Sequence, residues 1–264
     1  LKTLFLAWQH PDSRAWFPIG RLTYDGELYR FGYIQGVLTA QKRANFQPLW
    51  SFPRLDEVYE SPHLFSLFAN RLLRQSRPDY PDFVQWLNIA QHEDDPIALL
   101  ARSGGKRATD TLEVFPLPQP DPQGHYHIHF FAHGLSHLPP ETQNRIHQLQ
   151  PQEQLSIIHE SQNPYDSNAL LLCTSDRYQV GYFPRYYAKD LVNLRDDLTV
   201  LVERVNPSPT PLQFRLLCNL TACWPENFQP FSDGDYQPLV WEEQGRDRSY
   251  RTLELIALFP QSLE

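Results

Sequence analysis

Four prolines at alternate positions, in Phe115-Pro116-Leu117-Pro118-Gln119-Pro120-Asp121-Pro122-Gln123-Gly124, constrain this chain more than any other feature. Each proline locks φ and removes a backbone donor, so the run suits neither a helix interior nor a central strand. The expected form is an extended, polyproline-like spacer with a domain on either side. A length of 264 residues leaves room for both, at ~100–200 residues per domain.

Before the run, residues 1–35 read as β. Trp16–Tyr24 and Glu27–Tyr33 alternate in part and flank Asp25-Gly26, a pair that favours positive φ and a two-residue type I′ hairpin. From about residue 61 the apolar spacing turns helical. Ser61-Pro62 reads as an N-cap and first-turn pair ahead of Leu64, Phe65, Leu67, Phe68, Leu72 and Leu73. Further helices are expected after Pro81 and from Pro96.

After the run, His125–Phe131, Gln154–His159, Ala169–Cys173, Tyr178–Phe183, Thr199–Val205 and Gln213–Thr221 read as short strands. One helix interrupts them near Tyr186–Leu194. Such a set suggests a small barrel, because closure removes exposed edges. The last forty residues combine an Asp-, Gly- and Pro-rich loop with a strand-like Tyr250–Phe259. The expected fold class is therefore α+β. It comprises an α+β domain over 1–115, a linker over 116–124, a barrel over 125–222, and an acidic extension over 223–264 packed on the barrel.

A hydrophobic content of 41%, with 13% aromatic, rules out wholesale disorder. No apolar run approaches the ~20 residues that span a bilayer, so no membrane partner is expected. Leu1–Trp8 is too short for a secretory hydrophobic region. Cys173, Cys218 and Cys223 are odd in number and lack CxxC spacing, which suggests a reducing, cytoplasmic setting.

The net charge of −8 counts against a protein that tracks nucleic acid along a broad basic face. Its distribution tempers that exclusion. Residues 1–120 carry 13 basic and 13 acidic side chains, residues 125–220 carry 7 and 9, and residues 221–264 carry 3 and 8. The cations are 19 Arg and only 4 Lys. Arginine favours forked contacts with phosphate or carboxylate, although genome composition produces the same bias.

Five histidines fall within thirteen residues, and His125, His127 and His129 would share one face of a strand. They are candidate metal ligands, or the solvent face of a strand whose other face is Tyr126, Ile128 and Phe130. Arg102-Ser103-Gly104-Gly105-Lys106-Arg107 is a basic, glycine-rich loop whose amides and cations suit an anion. It lacks Walker spacing, and a helix C-cap with solvated charges explains it equally well. No G-x-S-x-G elbow or catalytic cysteine context is present, and Asp94-Asp95 and Asp196-Asp197 sit in polar stretches. Neither an enzyme nor a cofactor is indicated.

The sharpest signal is Glu160–Ala169, with Asn163-Pro164-Tyr165-Asp166-Ser167-Asn168-Ala169 as its turn, followed by Tyr178-Gln179-Val180-Gly181-Tyr182-Phe183-Pro184-Arg185. Read structurally, Asn-Pro starts a turn and Asp166 closes it. Read functionally, Tyr165 and Tyr182 offer faces for base stacking, Arg185 a phosphate contact, and Asp166 an acceptor for a sugar hydroxyl.

With Phe131-Ala132-His133-Gly134 in front of them, these blocks make residues 125–222 resemble a HIRAN domain. The resemblance implies an OB-like barrel that captures the free 3′-hydroxyl end of single-stranded DNA. It implies that Tyr165 stacks on the terminal base, Asp166 binds the hydroxyl, Arg185 faces phosphate and Tyr182 lies beside the pocket. Asn168 belongs to the same block. Where DNA-binding members offer an arginine and an aromatic after the glycine, this chain has Ser136 and His137. His137 retains a ring that can stack, whereas Ser136 loses a cation.

Residues 14–114 resemble, more weakly, the N-terminal subdomain of HipA-type toxin kinases. Pro18-Ile19-Gly20-Arg21-Leu22, Tyr29-Arg30-Phe31-x-Tyr33, Pro48-Leu49 and Leu64–Leu73 carry that likeness, and no kinase core follows. The expected function is a non-catalytic, prokaryotic DNA-binding protein that recognises single-stranded 3′ ends. The alternative is a protein-interaction or antitoxin-like partner of a HipA-type kinase core, without DNA binding. A metal-dependent nuclease built on the histidine strand ranks last.

Overall fold

The N-terminal half alternates too little to be one-sided, and the reason is that its central strands are buried on both faces. In the computed structural model, which describes residues 1–90, 93–192, 198–223 and 228–240, this half holds nine elements. They are β1 (Lys2–Gln9), β2 (Trp16–Tyr24), β3 (Tyr29–Tyr33), α1 (Gly36–Ala44), β4 (Val58–Ser61), α2 (Ser66–Ala69), α3 (Tyr80–Trp86), α4 (Pro96–Ser103) and β5 (Leu112–Pro116). The strands form an antiparallel sheet of order β4-β3-β2-β1-β5. Leu4 and Leu6 of β1 join a core with Phe31, Phe52, Phe68 and Val114. Phe5 and Ala7 point the other way, into a core shared with the barrel.

Two local expectations are corrected, and one helix was not expected. Tyr24 pairs with Tyr29, so the hairpin loop has four residues and not two. Asp25 decides this: its Oδ1 accepts from the Glu27 and Leu28 amides at 2.9 and 2.8 Å, and its other oxygen binds Arg30. The helix expected from Ser61 is a single turn, Ser66–Ala69, because Ser61 ends β4 and its hydroxyl exchanges bonds with His63. Leu64 and Phe65 reach the core from irregular backbone, and Phe68 from the single turn. The helix α1 has no sequence signal, since Gln35 gives no side-chain cap and its first turn holds no acid. By contrast α4 forms as expected, with Asp95 Oδ1 accepting from Ile97 and Ala98 at 3.0 and 3.1 Å.

The proline run, expected as an extended spacer, is stitched at both ends. Phe115 and Pro116 belong to β5, and the Leu117 amide donates to Thr3 at 3.1 Å. Pro120 bridges to Tyr126, and Asp121 Oδ1 accepts from the His125 amide at 2.8 Å.

The second half contains β6 (His125–Phe131), α5 (Pro140–Gln148), β7 (Gln154–His159), β8 (Leu170–Cys173), β9 (Gln179–Tyr182), α6 (Arg185–Leu191), β10 (Leu198–Val205) and β11 (Leu216–Cys223). Each of the six strands expected between residues 125 and 222 is present. The antiparallel order β6-β11-β10-β7-β8-β9 curls into an OB-like half-barrel. Just past β6, His133 and Tyr182 exchange backbone bonds of 2.8 and 2.9 Å, so the sheet's two ends meet. Gly181 makes this approach possible: its φ is +129°, and a Cβ there would lie 2.8 Å from the His133 carbonyl oxygen.

Residues 228–240 return to the first sheet. Phe231 packs on Phe5, Phe115 and Tyr187 at centroid distances of 5.3, 5.4 and 5.6 Å, and Pro238 bridges to Ile34. This part of the acidic extension therefore touches both halves, not the barrel alone. The expected strand at Tyr250–Phe259 and the pair Asp196-Asp197 lie outside the described residues. No helix among the described residues is long and apolar enough to cross a membrane.

Candidate functional site

The chain from Glu160 to Ala169 links β7 to β8, and its own side chains shape it. Asn163 Oδ1 accepts from the Tyr165 and Asp166 amides at 3.0 and 3.2 Å, and Asp166 Oδ1 accepts from the Asn168 amide at 3.0 Å. These two nested turns satisfy the backbone and leave Tyr165 82% exposed. Glu160 braces the turn from behind. Its Oε2 accepts from Asn163 Nδ2 at 2.8 Å and from the Tyr182 hydroxyl at 3.1 Å, tying the turn to β9.

Arg185, the first residue of α6, faces the same turn. Its Nε lies 2.9 Å from Asp166 Oδ2, and its Nη2 donates to the Tyr165 carbonyl at 2.8 Å. Its Nη1 reaches the Arg14 carbonyl at 3.3 Å, across to the N-terminal half. Tyr165, Asp166, Asn168 and Arg185 thus stand together. Tyr182 is adjacent but half-buried, with its ring against Gly134, where a Cβ would lie 3.3 Å from Tyr182 Cδ2. Burial, reinforced by Glu160, raises the Tyr182 hydroxyl above its ordinary pKa, so it remains a donor. Its face is a packing surface here and not an open platform.

Beside this cluster a cleft of about 840 Å³ opens between the two halves. One wall is Arg14, Trp16 and the stretch 101–113; the other is 129–137, 185–187 and 211–213. Ser136 and His137 are exposed on the barrel wall. The basic loop lies opposite them, but not as an amide cradle. The Gly104 amide closes α4 on Leu100 at 3.0 Å, and the Gly105 amide donates to Ser103 Oγ at 3.2 Å. Arg102 turns inward to the Leu87 carbonyl at 3.0 Å, and burial lowers its pKa. Lys106 Nζ sits 2.9 Å from Glu113 Oε1 and 3.0 Å from His133 Nε2. Burial, then the Lys106 ammonium, push His133 well below its ordinary pKa, so Nε2 is a neutral acceptor. Arg107 is exposed, and its side chain has no partner among the described residues; the same holds for Arg14.

On β6 the histidines face outward while Tyr126, Ile128 and Phe130 fill the core. His125 and His127 pair with Asp121 at 3.5 and 3.0 Å, and His129 Nδ1 binds Glu203. Among the described residues no group of three or more His, Cys, Asp or Glu side chains is placed to hold a metal ion. Sequence reasoning missed Glu160 as the brace, the Lys106–His133 contact, and Arg14. Only Glu160 carried a signal, standing three residues ahead of Asn163.

Residues 125–222 match the family model of the HIRAN domain. Two solved structures are similar. One is a crystal structure of a protein from Lactobacillus plantarum, with 20% identity, a TM-score of 0.29, and coverage of 38% of this chain and 97% of that one. The other is the HIRAN domain of human HLTF, with 18% identity, a TM-score of 0.29, and coverage of 40% and 77%. No curated protein matches the chain.

Proposed function

We propose that this chain binds DNA through residues 125–222, holding a single strand by its free 3′-hydroxyl end, and performs no chemistry on it. The observation that carries this reading is the fixed Asp166 carboxylate beside the exposed Tyr165 ring. Each Asp166 oxygen already accepts one bond and keeps a further lone pair, and a carboxylate offers no donor. A sugar hydroxyl donates to such a group, whereas a terminal phosphate meets like charge. Tyr165 supplies a stacking face worth ~1–3 kcal/mol per base. Arg185 offsets the Asp166 charge and orients it. The HIRAN match supports the same assignment, since that resemblance implies capture of a 3′ end.

The test compares oligonucleotides that end in a 3′-hydroxyl or a 3′-phosphate, titrated against the full chain. A hydrogen bond to a charged group contributes about 1.5–3 kcal/mol, so the hydroxyl end should bind roughly 10- to 100-fold tighter. Asp166→Ala should erase that preference, and Tyr165→Ala should weaken binding of both oligonucleotides. Equal binding of the two ends by the unmodified chain overturns the reading.

A further inference from the structure

We infer that the cleft between the two halves is a track for the phosphate backbone of a single nucleic-acid strand, in which Arg14 and Arg107 of the N-terminal half make the contacts. The inference rests on end capture at Asp166 only for the strand's position, not for the track's affinity for phosphate.

Charge in the cleft is the first support. Its carboxylates are Asp110 and Glu113. Asp110 takes a two-pronged contact from Arg71 at 2.8 and 3.1 Å, and Glu113 is paired with Lys106 at 2.9 Å. Among the cations, Arg102 is held by Leu87 and Glu203, and Arg185 by Asp166. Arg14 and Arg107 remain, exposed and unpartnered among the described residues. With its acids engaged and two guanidinium groups free, the cleft favours an anion. Guanidinium is weakly hydrated and its fork matches phosphate oxygens.

Continuity is the second. Arg185 lines the cleft, binds Asp166, and donates to the Arg14 carbonyl, so the track begins one ion pair from the proposed end site. A volume of about 840 Å³ lies within the ~300–1,000 Å³ of clefts that bury organic ligands. A strand held by its end would run along this track with successive phosphates facing the N-terminal wall. The barrel alone, at 7 basic and 9 acidic residues over 125–220, offers no comparable surface.

The experiment measures full-chain affinity for oligothymidylates of two to twelve nucleotides, ending in a 3′-hydroxyl, across a salt series. Affinity should rise with length until the track is filled. In the double variant Arg14→Gln/Arg107→Gln that rise should vanish, and the salt slope should become shallower by roughly 1.4, at ~0.7 per phosphate contact on single strands. The preference of a dinucleotide for a 3′-hydroxyl over a 3′-phosphate should persist in it. Arg43→Gln/Arg74→Gln, an equal charge change at exposed residues outside the cleft, should leave the slope as it was. An unchanged length dependence in the Arg14/Arg107 variant overturns the track while leaving end capture intact. Loss of end preference with length dependence still carried by Arg14 and Arg107 overturns end capture alone. Equal competition by a poly-glutamate peptide of matched charge assigns the cleft to acidic polypeptide and overturns the nucleic-acid track.

Discussion

The two walls of the cleft differ in whether any of their cations is left over. On the barrel wall Arg185 is engaged by Asp166 and two carbonyls, so its charge fixes geometry. On the N-terminal wall Arg14 and Arg107 have no partner among the described residues. On the proposed reading the barrel discriminates one chemical group, and the N-terminal wall supplies charge without discrimination. Recognition of base or end by one surface and of phosphate by another is a common division of labour in nucleic-acid binding.

The strongest way to break this comparison is to open the barrel without touching the other wall. Gly181→Ala places a Cβ against the His133 carbonyl in a left-handed backbone region, a cost on the order of 3 kcal/mol. Urea denaturation should show the loss. Hydrogen exchange should show where it falls: the His133 and Tyr182 amides should exchange faster well before those of Leu4 and Leu6. Equal acceleration in β1 would mean that the shared core of Phe5, Phe115 and Tyr126 makes the halves one cooperative unit.

A smaller effect is expected at the latch centred on Glu203, whose partners Arg102 and His129 line the cleft. Glu203 accepts from Asn88 Nδ2 at 2.6 Å, binds His129 and lies 3.6 Å from Arg102. Burial alone would raise its carboxyl, yet His129, Asn88 and Arg102 outweigh that and hold it below the ordinary value. Glu203→Gln keeps the shape and removes the charge, leaving the part-buried Arg102 facing a neutral amide. The expected loss is about 2 kcal/mol in thermal or urea unfolding. A charge-dependent latch also loses stability as pH falls, and the variant should lose less over the acid range than the parent chain. A parallel acid profile would show that His129 and Arg102 are held by something else.

The comparison also explains which parts were legible in the sequence. The barrel strands were, because His125–Phe131 alternates outward histidines with buried Tyr126, Ile128 and Phe130. In α4 the Pro96 start and the C-cap glycine act locally and were legible, whereas the capping role of Asp95, read only as a charge in a polar stretch, was not. The helix α5 escaped notice because only Thr142 and Ile146 of its nine residues are buried, too few to make a stripe. The turn residues Tyr165 and Asp166 were legible as a motif, since their geometry depends on neighbours three residues away. The opposite wall was not. Arg102-Ser103-Gly104-Gly105-Lys106-Arg107 showed as a basic loop, but which cations stay free depends on Leu87, Glu113, His133 and Glu203, all distant in the chain.

The smallest expected effect tests the contact between Lys106 and His133, one of those that join the walls. Lys106 Nζ lies 3.0 Å from His133 Nε2, with Glu113 Oε1 at 3.7 Å from the same nitrogen and the Tyr186 ring nearby. Burial and the ammonium keep His133 neutral in the fold, whereas in the unfolded chain it titrates near ~6.5. The unfolded state therefore binds more protons below that pH, and stability falls as pH drops through 6.5 toward the lowered folded value. For one neutral histidine the loss is at most about 0.8 kcal/mol at pH 6. His133→Asn should flatten the stability profile between pH 8 and pH 6 by up to that amount. Lys106→Met should flatten it by less, because burial, the larger cause, remains and Glu113 then favours the charged imidazole. If Lys106→Met leaves the profile unaltered, burial alone holds the proton off, and the walls meet there through packing without electrostatic coupling.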